Sequence, residues 1–98
     1  MTGFSQHQEA QLRYIADHLR QVRSEQGISL DEIAVKTFIP LRLLQALDDV
    51  QLDRLPEAVF VQGFIRRYAD AIGVDGLAVA RSFPLEAQPF EQATPESP

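Results

Sequence analysis

Few side chains in this 98-residue sequence have the types and spacings that catalysis needs. The two histidines, His7 and His18, stand apart. His18 lies one turn from Tyr14 and next to Asp17, but no second histidine or carboxylate recurs at a metal-ligand spacing. A solvated helix face is therefore the expected setting for both. Ser29 has no histidine base nearby in sequence, and there is no cysteine to serve as nucleophile or zinc ligand. The five glycines (Gly3, Gly27, Gly63, Gly73 and Gly76) are scattered, so no loop could cradle a phosphate. No catalytic residue, cofactor or metal is expected. What remains is binding chemistry. Acids gather at Asp48, Asp49, Asp53 and Glu57, with Arg42 and Arg54 among them, and two phenylalanines, Phe60 and Phe64, stand four apart with Arg67 just beyond.

Charge narrows the choice of partner. Fourteen acidic side chains face nine basic ones, a net charge of −5. Affinity for nucleic acid comes mostly from Lys and Arg on phosphates, so a mildly acidic chain is poorly suited to it. The apolar share of 45% is that of an ordinary globular domain. No apolar run reaches the ~18–20 residues of a membrane span, and the N-terminus lacks the charged and apolar blocks of a signal peptide. The absence of cysteine fits a reducing compartment.

The elements that must position these residues are helices. Leu12, Ile15, Leu19 and Val22 recur at spacings of three and four, which predicts an amphipathic helix over about 6–26, with Gly27 as its left-handed stop. Ser29 can cap a second helix over 30–37. Glu32 three residues later would complete a capping box, and Ile28 with Ile33 would form a hydrophobic staple. Phe38-Ile39-Pro40 then breaks the chain, and Pro40 suits the first turn of a third helix over 40–49. A fourth helix is expected over 56–72, with Pro56 again in its first turn. A fifth, capped by Asp75, is expected over 76–83. Residues 6–83 thus form an all-α domain of five helices, the second and third in a helix-turn-helix. Beyond it, Pro84, Pro89, Pro95 and Pro98 stand among Glu, Gln, Ala, Ser and Thr, so 84–98 reads as disordered linker.

The chain resembles known families at two levels. Leu19-Arg20, Arg23, Gly27, Ile28-Ser29-Leu30, Glu32-Ile33-Ala34, Leu44 and Leu47-Asp48 are similar to the lambda-repressor-like group. The run from Pro40 to Leu47, then Leu52-Asp53-Arg54-Leu55-Pro56-Glu57 and Val59 to Ala69, resembles the RodZ family of bacterial cell-shape proteins over about residues 12–83. The sequence departs from that family at Val50-Gln51, where many relatives carry glycine and an acidic residue. The lambda-repressor-like group implies an internal ion pair between Asp48 and Arg23 of the first helix. It also places Leu41, Arg42 and Ala46 where a DNA-reading relative touches bases. Leucine and alanine cannot make the bidentate hydrogen bonds that discriminate bases, and Asp48, Asp49, Asp53 and Glu57 would face phosphates with like charge. A DNA-binding transcriptional regulator is therefore the second reading, not the first.

The fourth helix carries the first reading. At about 100° per residue, Val61, Ile65, Tyr68 and Ile72 fall within one narrow sector and would face the core. Phe64 lies on the flank of that sector, and Phe60 lies further out on the same flank. Gln62, Arg66 and Asp70 occupy the polar side. From the residues alone, the two rings could cover the first or fifth helix, or stand exposed as a partner anchor. The RodZ resemblance favours the anchor, because in that family aromatics at these positions dock onto filaments of the bacterial actin MreB. It further implies a full-length protein at the cytoplasmic face of the inner membrane, held there by a membrane segment absent from this chain. The 98 residues are then a soluble fragment of it.

Overall fold

The first helix begins on a device that hydrophobic periodicity does not show. The Ser5 hydroxyl accepts the Gln8 backbone N–H at 3.0 Å, and the Gln8 side chain accepts the Ser5 N–H at 2.9 Å, a reciprocal cap. In the computed structural model, which describes residues 3–86, this opens α1 (Gln6–Gln26). Gly27, at φ 69°, closes it. Then follow α2 (Leu30–Thr37), α3 (Leu41–Asp48), a single 3-10 turn (Leu52–Arg54), α4 (Ala58–Ala71) and α5 (Gly76–Arg81). This is an all-α, five-helix architecture, and the described residues contain no strand.

Several boundaries differ from expectation for identifiable reasons. Pro40 does not enter the first turn of α3. It stands as the N-cap with extended backbone, φ −55° and ψ 138°, and the helix ends at Asp48 instead of Asp49. Pro56 likewise lies outside α4, because the extended N-cap is Glu57, and the helix stops at Ala71. The residue before a proline is pushed toward extended geometry. Leu55, which precedes Pro56, is extended. The connector also holds a 3-10 turn that no signal in the sequence marks. The fifth helix ends at Arg81, two residues short of expectation. Leaving the helix there lets Phe83 turn inward, where it is completely buried.

The core joins Leu12, Ile15 and Leu19 of α1 to Ile33, Ile39, Leu44 and Leu47 of the helix-turn-helix, and to Val61, Ile65 and Tyr68 of α4. Full burial of each large aliphatic side chain contributes about 1.5–3 kcal/mol. The nominally polar side of α4 is not solvent-facing throughout, as expected, but receives α5. Gln62 Nε2 donates to the carbonyls of Ala80 and Phe83, both at 3.0 Å. The Gly76 N–H donates to the Asp70 carboxylate at 3.0 Å. A Cβ on Gly76 would fall on the Arg66 carbonyl and the Asp70 carboxylate, so the close approach of the two helices requires glycine there.

The chain then returns along α1. Phe4 packs on Phe83 with ring centroids 6.3 Å apart, Gln8 Nε2 donates to the Pro84 carbonyl at 2.8 Å, and His7 lies 3.2 Å from Glu86. The expected linker thus begins with residues still tied to the domain. Its remainder, 87–98, lies outside the described residues.

Candidate functional site

Polar bonds hold the helix-turn-helix at an exposed entry and at a buried base. At its entry, the Ser29 hydroxyl accepts the Glu32 N–H at 3.2 Å while Glu32 Oε1 accepts the Ser29 N–H at 2.9 Å. At its base, Arg23 Nη2 meets Asp48 Oδ2 at 2.7 Å, and the Tyr68 hydroxyl joins both, donating to Asp48 Oδ1 at 2.8 Å and accepting from Arg23 Nε at 2.9 Å. Burial, and secondly the charge of Asp48, raise the Tyr68 phenol above its ordinary value. Burial alone would lower Arg23, but its bonds to Tyr68 and its attraction to Asp48 outweigh that and hold the guanidinium protonated. Asp48 is only 6% exposed and its carboxylate is paired with Arg23, so it is not part of an outward acidic face. The count of surface acids around α3 falls to Asp49, Asp53 and Glu57. Tyr68, which helical spacing assigns only to an apolar stripe, is the third member of this cluster.

The outer side of α3 also differs from what the lambda-repressor-like resemblance implies. Ala46, placed at a base-reading position, is completely buried, and Leu41 is half-buried. The side chains that do face outward are Arg42 and Gln45. With Gln51 and Arg54 they line an open cleft of about 290 Å³.

A different chemistry faces outward on α4. Phe60 is 55% exposed and its neighbour Val59 is also exposed. Phe64 is half-buried against the core rather than free, and the Arg67 guanidinium lies 5.8 Å from its ring centroid, within cation–π range. The same guanidinium donates to the Thr37 carbonyl at the end of α2. The structure thus joins Phe64 to Arg67 and ties both to the helix-turn-helix turn, with Phe60 one turn further along α4. Two further apolar residues are exposed on α2 and its turn, Val35 and Phe38, the latter next to Thr37 in sequence. Sequence reasoning does not find them, because Val35 reads as helix surface and Phe38 as part of a helix break.

A helix-turn-helix domain family matches residues 18–79, a span that runs from α1 through α4 into α5. The chain belongs to that family. Within it, this is a RodZ-like helix-turn-helix domain: it is 36% identical to the cytoskeleton protein RodZ of Streptococcus pneumoniae (strain ATCC BAA-255 / R6) over 69 residues, covering 70% of this chain. It is also 40% identical to the uncharacterized membrane protein YmfM of Bacillus subtilis (strain 168) over 48 residues, 49% of this chain. The chain spans only 25% of the first relative's length and 17% of the second's. No solved structure matches it. Among the described residues of this RodZ-like domain, no helix is long and apolar enough to cross a membrane, and no three His, Asp or Glu side chains converge for a metal.

Proposed function

We propose that this RodZ-like domain is a non-enzymatic adaptor whose α4 docks on filaments of the bacterial actin MreB. In this reading the full-length protein couples the filament to the cytoplasmic face of the inner membrane and so supports cell shape and elongation. The observation that carries the reading is the aromatic flank of α4: Phe60 is more than half exposed, one turn from Phe64, which is itself braced by Arg67. An exposed aromatic beside an arginine is the chemistry of binding hot spots. The names of the two relatives, one a cytoskeleton protein and one a membrane protein, support the partner and the anchoring. A filament presents many equivalent sites, so modest single contacts become effective through local concentration.

The test pairs binding with stability. Phe60→Ala should weaken co-sedimentation with MreB filaments by about tenfold or more while leaving the melting temperature close to that of the wild type. Phe64→Ala should weaken binding and also lower melting, because its ring is half-buried. Normal sedimentation of both variants would place the docking surface elsewhere.

One observation favours the second reading, a DNA-binding regulator. Arg42, Gln45, Gln51 and Arg54 line one cleft, and none makes a side-chain hydrogen bond or ion pair with another described residue. Against it stand the net charge of −5, the buried Ala46 and the flanking Asp49 and Asp53.

A further inference from the structure

Phe38 combines two properties that do not favour each other. It is the most exposed large apolar residue described, at 88%, and its backbone is left-handed, with φ 61°. That conformation suits glycine or asparagine and costs other residues free energy. Burial of the ring does not offset that strain, since the ring is not packed into the core. The backbone on either side is nonetheless fixed. Thr37 and Ile39 are buried, the Thr37 hydroxyl donates to the Ile33 carbonyl at 2.7 Å and accepts the Ile39 N–H at 3.2 Å, and Arg67 donates to the Thr37 carbonyl. The Phe38 N–H closes α2 by donating to the Ala34 carbonyl at 2.9 Å. The turn is therefore a rigid pedestal that projects one phenyl ring into solvent. An aromatic held this way loses little conformational freedom on binding. Val35, 75% exposed, stands one turn before it.

We infer that the docking surface extends from α4 across the α2–α3 turn, and that Phe38, with Val35 beside it, is a pre-set anchor for the same filament subunit that meets Phe60. The inference rests on the α4 docking reading. Continuity argues for one occupant: Arg67 stacks on Phe64 and bonds the carbonyl of Thr37, so the turn and the α4 flank share a residue and form one surface.

The experiment uses the whole chain and polymerised MreB. Phe38→Asn retains a residue that accepts left-handed backbone, so it should melt at or above the wild-type temperature while co-sedimenting about tenfold more weakly. Tyr14→Ala, which removes an exposed aromatic from α1, should bind as the wild type. If Phe38→Asn sediments normally while Phe60→Ala does not, docking through α4 stands and the extension falls. If both bind normally, both readings fall. Loss of binding in Phe38→Asn alone keeps the turn as a contact and removes α4. Equal loss in Tyr14→Ala would show a general effect of surface aromatics and overturn the inference, as would early melting of Phe38→Asn. A concentration-dependent dimer abolished by Phe38→Asn would assign the turn to a second copy of the chain instead.

Discussion

Helices α3 and α4 use their side chains in opposite ways. In α3, the helix that a helix-turn-helix would lay on DNA, Leu44, Ala46, Leu47 and Asp48 all turn inward, leaving Arg42 and Gln45 as the outward polar pair. In α4, one stripe enters the core, a second side receives α5, and a third presents Phe60 beside Phe64 and Arg67. Asp48, one of the acids expected to face phosphate from α3, is a buried strut, while Phe60 is more than half exposed and Phe64 only half-buried. Position within the motif therefore does not locate the binding chemistry. Burial and exposed chemistry are the better guide, and the docking proposal follows them to α4 and the turn beside it.

The largest effect should come from testing whether Asp48 is interior. Asp48→Ala would leave Arg23 and Tyr68 facing each other without the carboxylate. Breaking one partner of a buried pair costs about 3–5 kcal/mol. Urea unfolding of the variant should show that loss. A change below about 0.5 kcal/mol would mean that Asp48 behaves as a surface acid and that α3 is not spent on packing.

The same cluster makes stability depend on alkaline pH. Tyr68 holds its proton more tightly folded than unfolded, because of burial and then the Asp48 charge. A raised folded value means the contribution is complete below the unfolded value of about 10 and is lost as pH climbs above it. The unfolding midpoint should therefore fall above about pH 10, and Tyr68→Phe should flatten that fall. Parallel curves for the two proteins would separate the alkaline loss from this cluster.

Much of the fold was legible because it rests on local rules. Leu12, Ile15 and Leu19 at helical spacing, the Ser29–Glu32 box and Gly27 as a stop are each short-range patterns. What escaped was set by tertiary contact. No local pattern marks Gln8, Gln26 or Gln62 for an internal bond, yet each donates to a carbonyl distant in sequence, Pro84, Ile72, and Ala80 with Phe83. The Ser5–Gln8 box is present in the sequence but lies ahead of the apolar stripe that marks α1. The left-handed residue of the α2–α3 turn was not identifiable, because Phe38-Ile39-Pro40 contains no glycine to mark it. At the candidate site, the aromatic flank of α4 followed from helical angle. The half-burial of Phe64 did not, because it depends on how the helices pack around the core.

A smaller effect tests the element that carries the turn between the two faces. α2 has a reciprocal cap at Ser29, whereas α3 has no side-chain cap at Pro40. Ser29→Ala removes the acceptor for the Glu32 N–H. That loss should cost about 1 kcal/mol in thermal or urea unfolding. It should leave filament binding within about twofold once the protein is folded, since Phe38 sits at the other end of the helix. A variant that keeps its stability but loses binding would show that the cap governs the surface and not the helix.

The smallest expected change is the one that could reverse the comparison. Arg42 and Arg54 face a common open cleft, and neither side chain bonds another described residue, so replacing both by alanine removes no internal contact. Stability should move by less than about 0.5 kcal/mol, the usual range for such surface changes. Filament sedimentation should be unchanged, because the α4 flank and the turn remain intact. Duplex DNA should bind weakly to the wild type and to the double variant alike, since an acidic domain releases few counterions on a polyanion. The informative measurement is the salt dependence of duplex binding. Affinity that falls steeply with salt in the wild type and is lost in the double variant would make α3 the working face and α4 its support. A flat, weak profile in both leaves Arg42 and Arg54 as solvated surface and removes the DNA-binding rival to the α4 docking proposal.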